Sequence, residues 1–379
     1  MVGFAIKYRP LGKTGLEISE ISIGTEWLYK KKEEDIKVVI QEAIKQGVNY
    51  FDTLFNFESY LEQISAAFQP YSRDKVILVH HLGSSEYKGK YKKTRSVKKC
   101  REHFDRFLEI MKIDRVDIVF IHFVHTQNDF DKVWKEGGVK DLAVQLQEEG
   151  KTRFIGVSTH HVEHALKFAE SGIADVIMIQ INLANHSHPK RQELLDTCAS
   201  KGIGVIAMKP FAGGKLLQAN QTVSFAKYQT ASHTIGKKKI AEDVTSAKCL
   251  HYLLNLVGLS AVVPGVANLE ELHDCLSYYS VSEEEKDYSG LLKDFEEYVT
   301  GECVYCNHCQ PCQADIDIGP MIRLYDRATL GSIPDPQKEY ETFEAKASDC
   351  IECGECLERC PFEVDAIAKM KEIATFFGK

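Results

Sequence analysis

Two cysteine runs near the C-terminal end carry the most explicit chemistry in this sequence. The first reads Cys303-Val-Tyr-Cys306-Asn-His-Cys309-Gln-Pro-Cys312, the second Cys350-Ile-Glu-Cys353-Gly-Glu-Cys356-Leu-Glu-Arg-Cys360-Pro361. Together they hold eight of the 12 cysteines; Cys100, Cys198, Cys249 and Cys275 are scattered. Disulfides suit an exported chain, but the opening MVGFAIKYRPLG shows no apolar segment ending in a small-residue cleavage site. The spacing is also too short and regular for a disulfide framework. Thiolates at turn spacing are soft ligands that suit zinc or iron–sulfur clusters. Zinc takes two CxxC pairs per site, whereas each run here offers four cysteines in succession.

The second run fits C-x2-C-x2-C-x3-C-P, the spacing of bacterial ferredoxins, in which three cysteines hold one cubane and the fourth crosses to the other. Two [4Fe-4S] clusters are therefore expected. By the crossing rule Cys303, Cys306 and Cys309 share a cluster with Cys360, and Cys350, Cys353 and Cys356 share one with Cys312. The first run departs from the pattern: only two residues precede Cys312, and Pro311 comes before it rather than after. Between the runs lie 37 residues, too many for a compact ferredoxin loop. Met321–Leu330 and Gln337–Lys346 read as short helices broken by Gly331 and the Pro334/Pro336 pair, so the expected unit is mainly helical.

Charge draws the same border. From residue 281 onward there are 22 acidic and 10 basic residues, a net −12, while the first 280 residues carry +4. We expect a domain over 1–280 and a helical two-cluster domain over 281–379, in keeping with 379 residues. Hydrophobic residues at 44% and charged residues at 27% exclude wholesale disorder. No apolar run approaches the roughly 18–20 residues of a membrane helix. Neither part is basic enough to make nucleic acid the main partner. A cytoplasmic chain is expected.

The first 280 residues alternate short apolar runs with amphipathic stretches. The runs are Ile21–Gly24, Val48–Phe51, Val76–Val79, Val116–Ile121, Phe154–Val157, Val176–Ile181, Gly204–Met208 and Ser260–Val263. Helical patterns such as Asp35–Lys45, Val97–Met111, Val162–Ala169 and Gln192–Ala199 lie between them. Eight such units predict an α/β protein built as a (β/α)8 TIM barrel. A doubly wound sheet is the rival, but no GxGxxG follows the first strand and no P-loop is present. Barrel chemistry sits at the C-terminal strand ends.

The residues there, with the cysteine runs, resemble the aldo-keto reductases, specifically a branch with a C-terminal ferredoxin-type two-cluster domain. The markers are Arg9-Pro-Leu-Gly-Lys-Thr-Gly-Leu16, Gly47-Val-Asn-Tyr-Phe-Asp-Thr53, Arg115-Val-Asp-Ile118 leading to His122, and Gly150-Lys-Thr-Arg-Phe-Ile-Gly-Val-Ser158. Ala207-Met-Lys-Pro-Phe-Ala-Gly-Gly214 and Val263-Pro-Gly265 follow. The resemblance implies NADPH-dependent carbonyl reduction by a tetrad of Asp, Tyr, Lys and His. The aspartate falls on Asp52 and the histidine on His122, but the tyrosine position is Phe57 and the lysine position His81. A phenyl ring has no proton to give, and a histidine near pKa 6.5 is no permanent cation. Tyr60, about one helical turn on, is a candidate substitute, although an aromatic at a helix start ordinarily packs.

The resemblance also assigns cofactor positions. Ser158 and Gln180 match residues that hold the nicotinamide amide, Lys209-Pro210 the phosphate-side loop, and Gly265 with Asn268 the adenosine-phosphate turn. The arginine often found beside that asparagine is Ala267, and the Glu-Asn pair that grips adenine reads Asp274-Cys275. A 2′-phosphate thus lacks its bidentate partner, and NADP(H) binding is expected to be weak.

Nine of the 14 histidines fall near the upper ends of strands three to six: His80, His81, His122, His125, His160, His161, His164, His186 and His188. Singly these are ordinary loop or packing residues; together they are candidates for an additional metal site with Asp52, or for a proton relay. A basic run over Glu86–Lys99 (Lys88, Lys90, Lys92, Lys93, Arg95, Lys98, Lys99) reads as a solvated face, or as a dock for an acidic carrier. The leading expectation is an iron–sulfur oxidoreductase acting on a small molecule at the barrel mouth. Asp52, His81 and His122 are its polar triad, and ferredoxin or flavodoxin its electron partner. Two alternatives stand beside it. One is a lyase or hydrolase using a histidine-bound metal with structural clusters; the other is a non-catalytic electron-transfer subunit.

Overall fold

The computed structural model describes residues 4–124, 126–186, 188, 190–217, 222–229, 232–239, 244–292, 303, 309–329, 335–360 and 364–378. Its strands in chain order are β1 (Tyr8–Pro10), β2 (Glu17–Ser19), β3 (Ile23–Gly24), β4 (Tyr50–Asp52), β5 (Ile77–Leu82), β6 (Ser84–Tyr87) and β7 (Lys90–Lys93). They continue with β8 (Val116–Ile121), β9 (Thr152–Thr159), β10 (Val176–Gln180), β11 (Gly204–Met208), β12 (Thr222–Gln229), β13 (Ser232–Lys239) and β14 (Ala261–Val263).

Eight of these pair in parallel in the order β14-β11-β10-β9-β8-β5-β4-β3, and the parallel bridges Ile21↔Val262 and Gly24↔Gly265 close the ring. All eight expected strands are present, and the fold is a (β/α)8 barrel. Strands buried on both faces read as near-continuous apolar runs, as in the VDIVFI of β8, where every residue is buried. Amphipathic helices cover the ring, including Glu33–Gln46, Val97–Met111, Val162–Ser171 and Arg191–Lys201.

One end of the barrel is closed. The antiparallel hairpin β1–β2 sends Leu11, Leu16 and Ile18 into the core shared by Ile77, Ile118, Phe120, Val176 and Ile206. Each such side chain contributes about 1.5–3 kcal/mol when fully buried. Packing here leaves no slack. A Cβ on Gly156 of β9 would come within 2.4 Å of the Phe120 ring, so glycine is required beside that aromatic.

The cysteine-rich part has a second apolar cluster. Met321, Ile322, Leu324, Tyr340, Met370 and Ile373 are buried together, with Cys309, Cys312, Cys350 and Cys356 packed against them. The helices Ile318–Thr329 and Pro336–Glu341 lie where the sequence predicts them, the second ending short of the expected Lys346. The preceding short helices behave differently: Tyr288, Leu291 and Leu292 join the barrel's outer core.

The cysteine-rich part meets the barrel at its closed end. Arg323 donates to Leu254 O (2.6 Å) and Asn255 Oδ1 (2.9 Å). Arg9 of the plugging hairpin donates to the same Leu254 carbonyl at 3.0 Å. A cavity of about 680 Å³ remains between these layers. The open end lies opposite.

Candidate active site

At the C-terminal strand ends a cavity of about 760 Å³ opens, lined by Glu26, Asp52, Phe55, His81, Tyr91, His122, Phe123, Ser158, His160, Lys209, Gly265, Glu271 and Asp274, among others. Alternation along β5 decides which histidine reaches it. His81 points inward and stacks on Phe120 (5.1 Å between centroids), whereas His80 points outward against Phe104 and Phe107 and meets Asn56 Oδ1 at 3.1 Å. His80 belongs to the helix–strand layer.

His81 Nε2 donates to Asp52 Oδ1 at 2.7 Å, which fixes the orientation of the ring. His122, just past β8, stands edge-on to His81 at 5.3 Å. Its Nε2 lies 2.6 Å from Tyr91 Oη. Burial holds the His122 imidazole well below its usual pKa, and the nearby His81, Arg95 and Lys93 push the same way. Burial pushes the Tyr91 phenol up, opposed by Arg95 and reinforced by Glu26. The phenol therefore keeps its proton and donates to a neutral His122. Nδ1 of both His81 and His122 is buried with no hydrogen-bond partner among the described residues. Leaving a buried polar atom unpaired costs about 1–3 kcal/mol, and such atoms mark functional sites.

Tyr91 arrives on a β-hairpin that includes part of the basic run over Glu86–Lys99. Ser84–Tyr87 and Lys90–Lys93 pair antiparallel around Lys88 and Gly89, both with positive φ (52° and 72°). That is the signature of a two-residue hairpin turn. The hairpin is tied down beneath the basic run: Lys93 and Arg95 both pair with Asp129. Arg95 also donates to His122 O (2.9 Å) and Phe123 O (3.0 Å). Phe123 adopts a φ of 45° at the cavity wall, with its N–H donating to Ser158 Oγ at 3.0 Å. Strain of this kind persists only where neighbours impose it. Glu26 is the second unforeseen group. Burial raises its carboxyl pKa, Lys209 opposes this, and Asp52 adds to it.

The two aromatic candidates from sequence lie elsewhere. Phe57 caps the helix Glu58–Phe68 and stacks on Tyr29 at 4.3 Å and 10°. Tyr60 is 1% exposed, with its hydroxyl donating to Thr25 O at 3.0 Å, so it is a packed residue and not the missing acid.

The expected cofactor residues divide. Ser158, Lys209, Pro210 and Gly265 line the cavity; Gln180 and Asn268 do not. Gln180 ends β10 and its carbonyl accepts from Asn185 Nδ2. Asn268 caps the helix Leu269–Ser277, accepting from Glu271 N at 2.9 Å. Gly265 lies close under the rim: a Cβ there would come within 2.2 Å of the Trp27 indole, so a larger residue would have to displace that exposed ring.

The histidines do not converge. His160 joins His81 and His122 at the cavity, His161 and His164 pack together, and His186 meets Tyr252 Oη at 2.9 Å. His188 lies 3.8 Å from Glu163, and His125 is outside the described residues. Among the described residues no group of three or more His, Cys, Asp or Glu is arranged to hold a metal ion. Cys309, Cys312, Cys350, Cys353 and Cys356 line one small cavity, and no disulfide joins any described cysteine. Cys303 and Cys360 pack against the barrel's outer core, and Cys306 is outside the described residues.

The barrel agrees with comparisons to known proteins. A family model described as "Aldo/keto reductase family" matches residues 20–292. L-galactose dehydrogenase of Arabidopsis thaliana is 27% identical over 292 residues, covering 71% of this chain and 86% of the plant protein. An uncharacterized oxidoreductase of Bacillus subtilis is 24% identical over 285 residues, covering 71% and 90%. Among solved structures, an aldo-keto reductase from Bacillus halodurans in its holo form superposes with a TM-score of 0.59 at 18% identity, covering 76% and 96%. The chain belongs to the aldo/keto reductase family and is an oxidoreductase. The family match ends before the first cysteine run. No helix among the described residues is long and apolar enough to cross a membrane.

Proposed function

We propose that this protein is an iron–sulfur oxidoreductase that transforms a small hydroxyl or carbonyl compound at the barrel mouth. In this reading residues 281–379 hold two [4Fe-4S] clusters that exchange electrons with an external carrier such as ferredoxin or flavodoxin. The observation that carries it is the Asp52–His81 pair at 2.7 Å beside His122 and Tyr91 in the cavity, with Phe57, at the position where the resemblance implies a tyrosine, packed on Tyr29 instead. Asp52 orients His81, and the Tyr91 phenol supplies the proton that Phe57 cannot. The plant relative's printed name, a dehydrogenase of a sugar, supports a polyhydroxylated or similarly small substrate class.

Donor type and spacing support a cluster. Burial pushes the Cys356 thiol up, with Cys350 and Cys353 adding to it, and iron binding would remove that penalty. Cys312, Cys350, Cys353 and Cys356 would hold one cluster, and Cys303, Cys306, Cys309 and Cys360 the other. Such clusters supply one-electron transfer. A second reading, that the clusters brace the fold while the mouth works alone, is favoured by Arg323 docking the cysteine-rich part on the closed end of the barrel.

The test uses anaerobically purified protein reduced by ferredoxin or flavodoxin, then mixed with a panel of small carbonyl compounds. Reoxidation of the visible chromophore that depends on the compound, and is lost in His81→Ala, is the expected result. Reoxidation that His81→Ala leaves unchanged, or the absence of any bleachable chromophore, overturns the proposal.

A further inference from the structure

We infer that the barrel mouth discriminates against a 2′-phosphate, so that a nicotinamide dinucleotide held there is NAD(H) and not NADP(H), with Glu271 as the specificity-determining residue. The inference rests on the reading of the mouth as a redox site of this family and goes beyond it, because the family resemblance alone implies NADPH.

The end of the cavity that the family resemblance assigns to the adenosine is built from the turn after β14 and the first turn of the helix Leu269–Ser277. A helix start normally offers free N–H groups to a phosphate. Here the Glu271 N–H and, in the preceding turn, the Ala267 N–H are already taken. The Glu271 carboxylate accepts from Ala267 N at 2.8 Å, and its other oxygen lies 3.4 Å from Asn268 Nδ2. Asn268 Oδ1 in turn accepts from Glu271 N at 2.9 Å, so helix and turn cap each other reciprocally. A 2′-phosphate reaching for the Ala267 amide would have to displace the Glu271 carboxylate from it.

The surrounding charge points the same way. Glu26, Asp52, Glu271 and Asp274 line the cavity against a single lysine or arginine among the described residues, Lys209. Position 267, where a guanidinium would grip the phosphate, is alanine. A dianionic group placed beside Glu271 and Asp274 meets like charge and finds no bidentate cation. A free ribose 2′-hydroxyl has the opposite need: it can donate to a carboxylate. The same residues that repel one cofactor therefore suit the other.

Titration calorimetry of the full chain, purified anaerobically, with NADH and with NADPH tests this. The wild type is expected to bind NADH more tightly by on the order of tenfold or more. Glu271→Gln and Asp274→Asn should each narrow the ratio by tightening NADPH while leaving NADH equal or weaker. Both positions are exposed, so neither change threatens the fold. Equal or tighter NADPH binding by the wild type overturns the inference, as does a ratio that neither variant moves. Failure of both dinucleotides to bind also overturns it. That last outcome leaves the proposed function standing, because compound-dependent reoxidation of the chromophore judges it separately.

Discussion

The open mouth and the cysteine-rich closed end were built by different rules. At the mouth Asp52, His81 and His122 line one cavity, while Phe57, at the position where the family resemblance implies a tyrosine, packs on Tyr29. At the closed end the chemistry lies in the chain order itself, and the fold only has to bring the thiols together. The two ends are separated by the length of the barrel, about 20 Å for a six-residue strand such as β8. In the proposed function, a substrate entering the mouth and a carrier visiting the cysteines would approach different faces and not compete for one surface.

That difference governs what could be read without the structure. The eight strands were legible because a parallel strand buried on both faces is apolar throughout, and Val116–Ile121 and Gly204–Met208 fall where the composition puts them. The cysteine runs stand out because their spacing is local, and the cluster reading of them belongs to the proposed function. Asp52, His81 and His122 were legible because they end strands. Tyr91 was not, because its meeting with His122 spans 31 residues and depends on a hairpin hidden in a lysine-rich stretch. The Lys88-Gly89 turn between Glu86-Tyr87 and Lys90-Tyr91 was the available signal. Glu26 escaped for a related reason: only the closed ring brings it beside Lys209 and Asp52. Tyr60 illustrates the reverse error, since spacing along a helix says nothing of which face meets the barrel, and its hydroxyl is spent on Thr25.

The largest effect that sharpens the contrast belongs to Tyr91. Removing a positioned acid costs on the order of 10²–10⁴-fold, so Tyr91→Phe should slow compound-dependent reoxidation of the chromophore by about 10²-fold or more. Its iron content should match the wild type. An unchanged rate would reduce Tyr91 to a wall residue and break the assignment of proton transfer to the mouth.

A smaller effect concerns stability, and it resides in the barrel alone. Burial, with Arg191 adjacent, pulls the His186 imidazole down to about 3, while the unfolded chain binds that proton near 6.5. The unfolded state binds more protons between these values, so stability is full above 6.5 and falls as the pH drops toward 3. From pH 6.5 to 5 the loss from this residue is about 2 kcal/mol. Denaturant melts at the two pH values should show it, and His186→Asn should have a shallower acid slope. An identical slope in the variant would place the acid sensitivity in other groups.

Iron and acid-labile sulfide per chain, measured on anaerobically purified protein, test the central claim most directly. The account predicts about eight of each, with Cys356→Ser losing about half of both while the mouth still binds its ligands. Two zincs per chain with no sulfide would contradict it, leaving the closed end a structural metal site and the mouth to work without it.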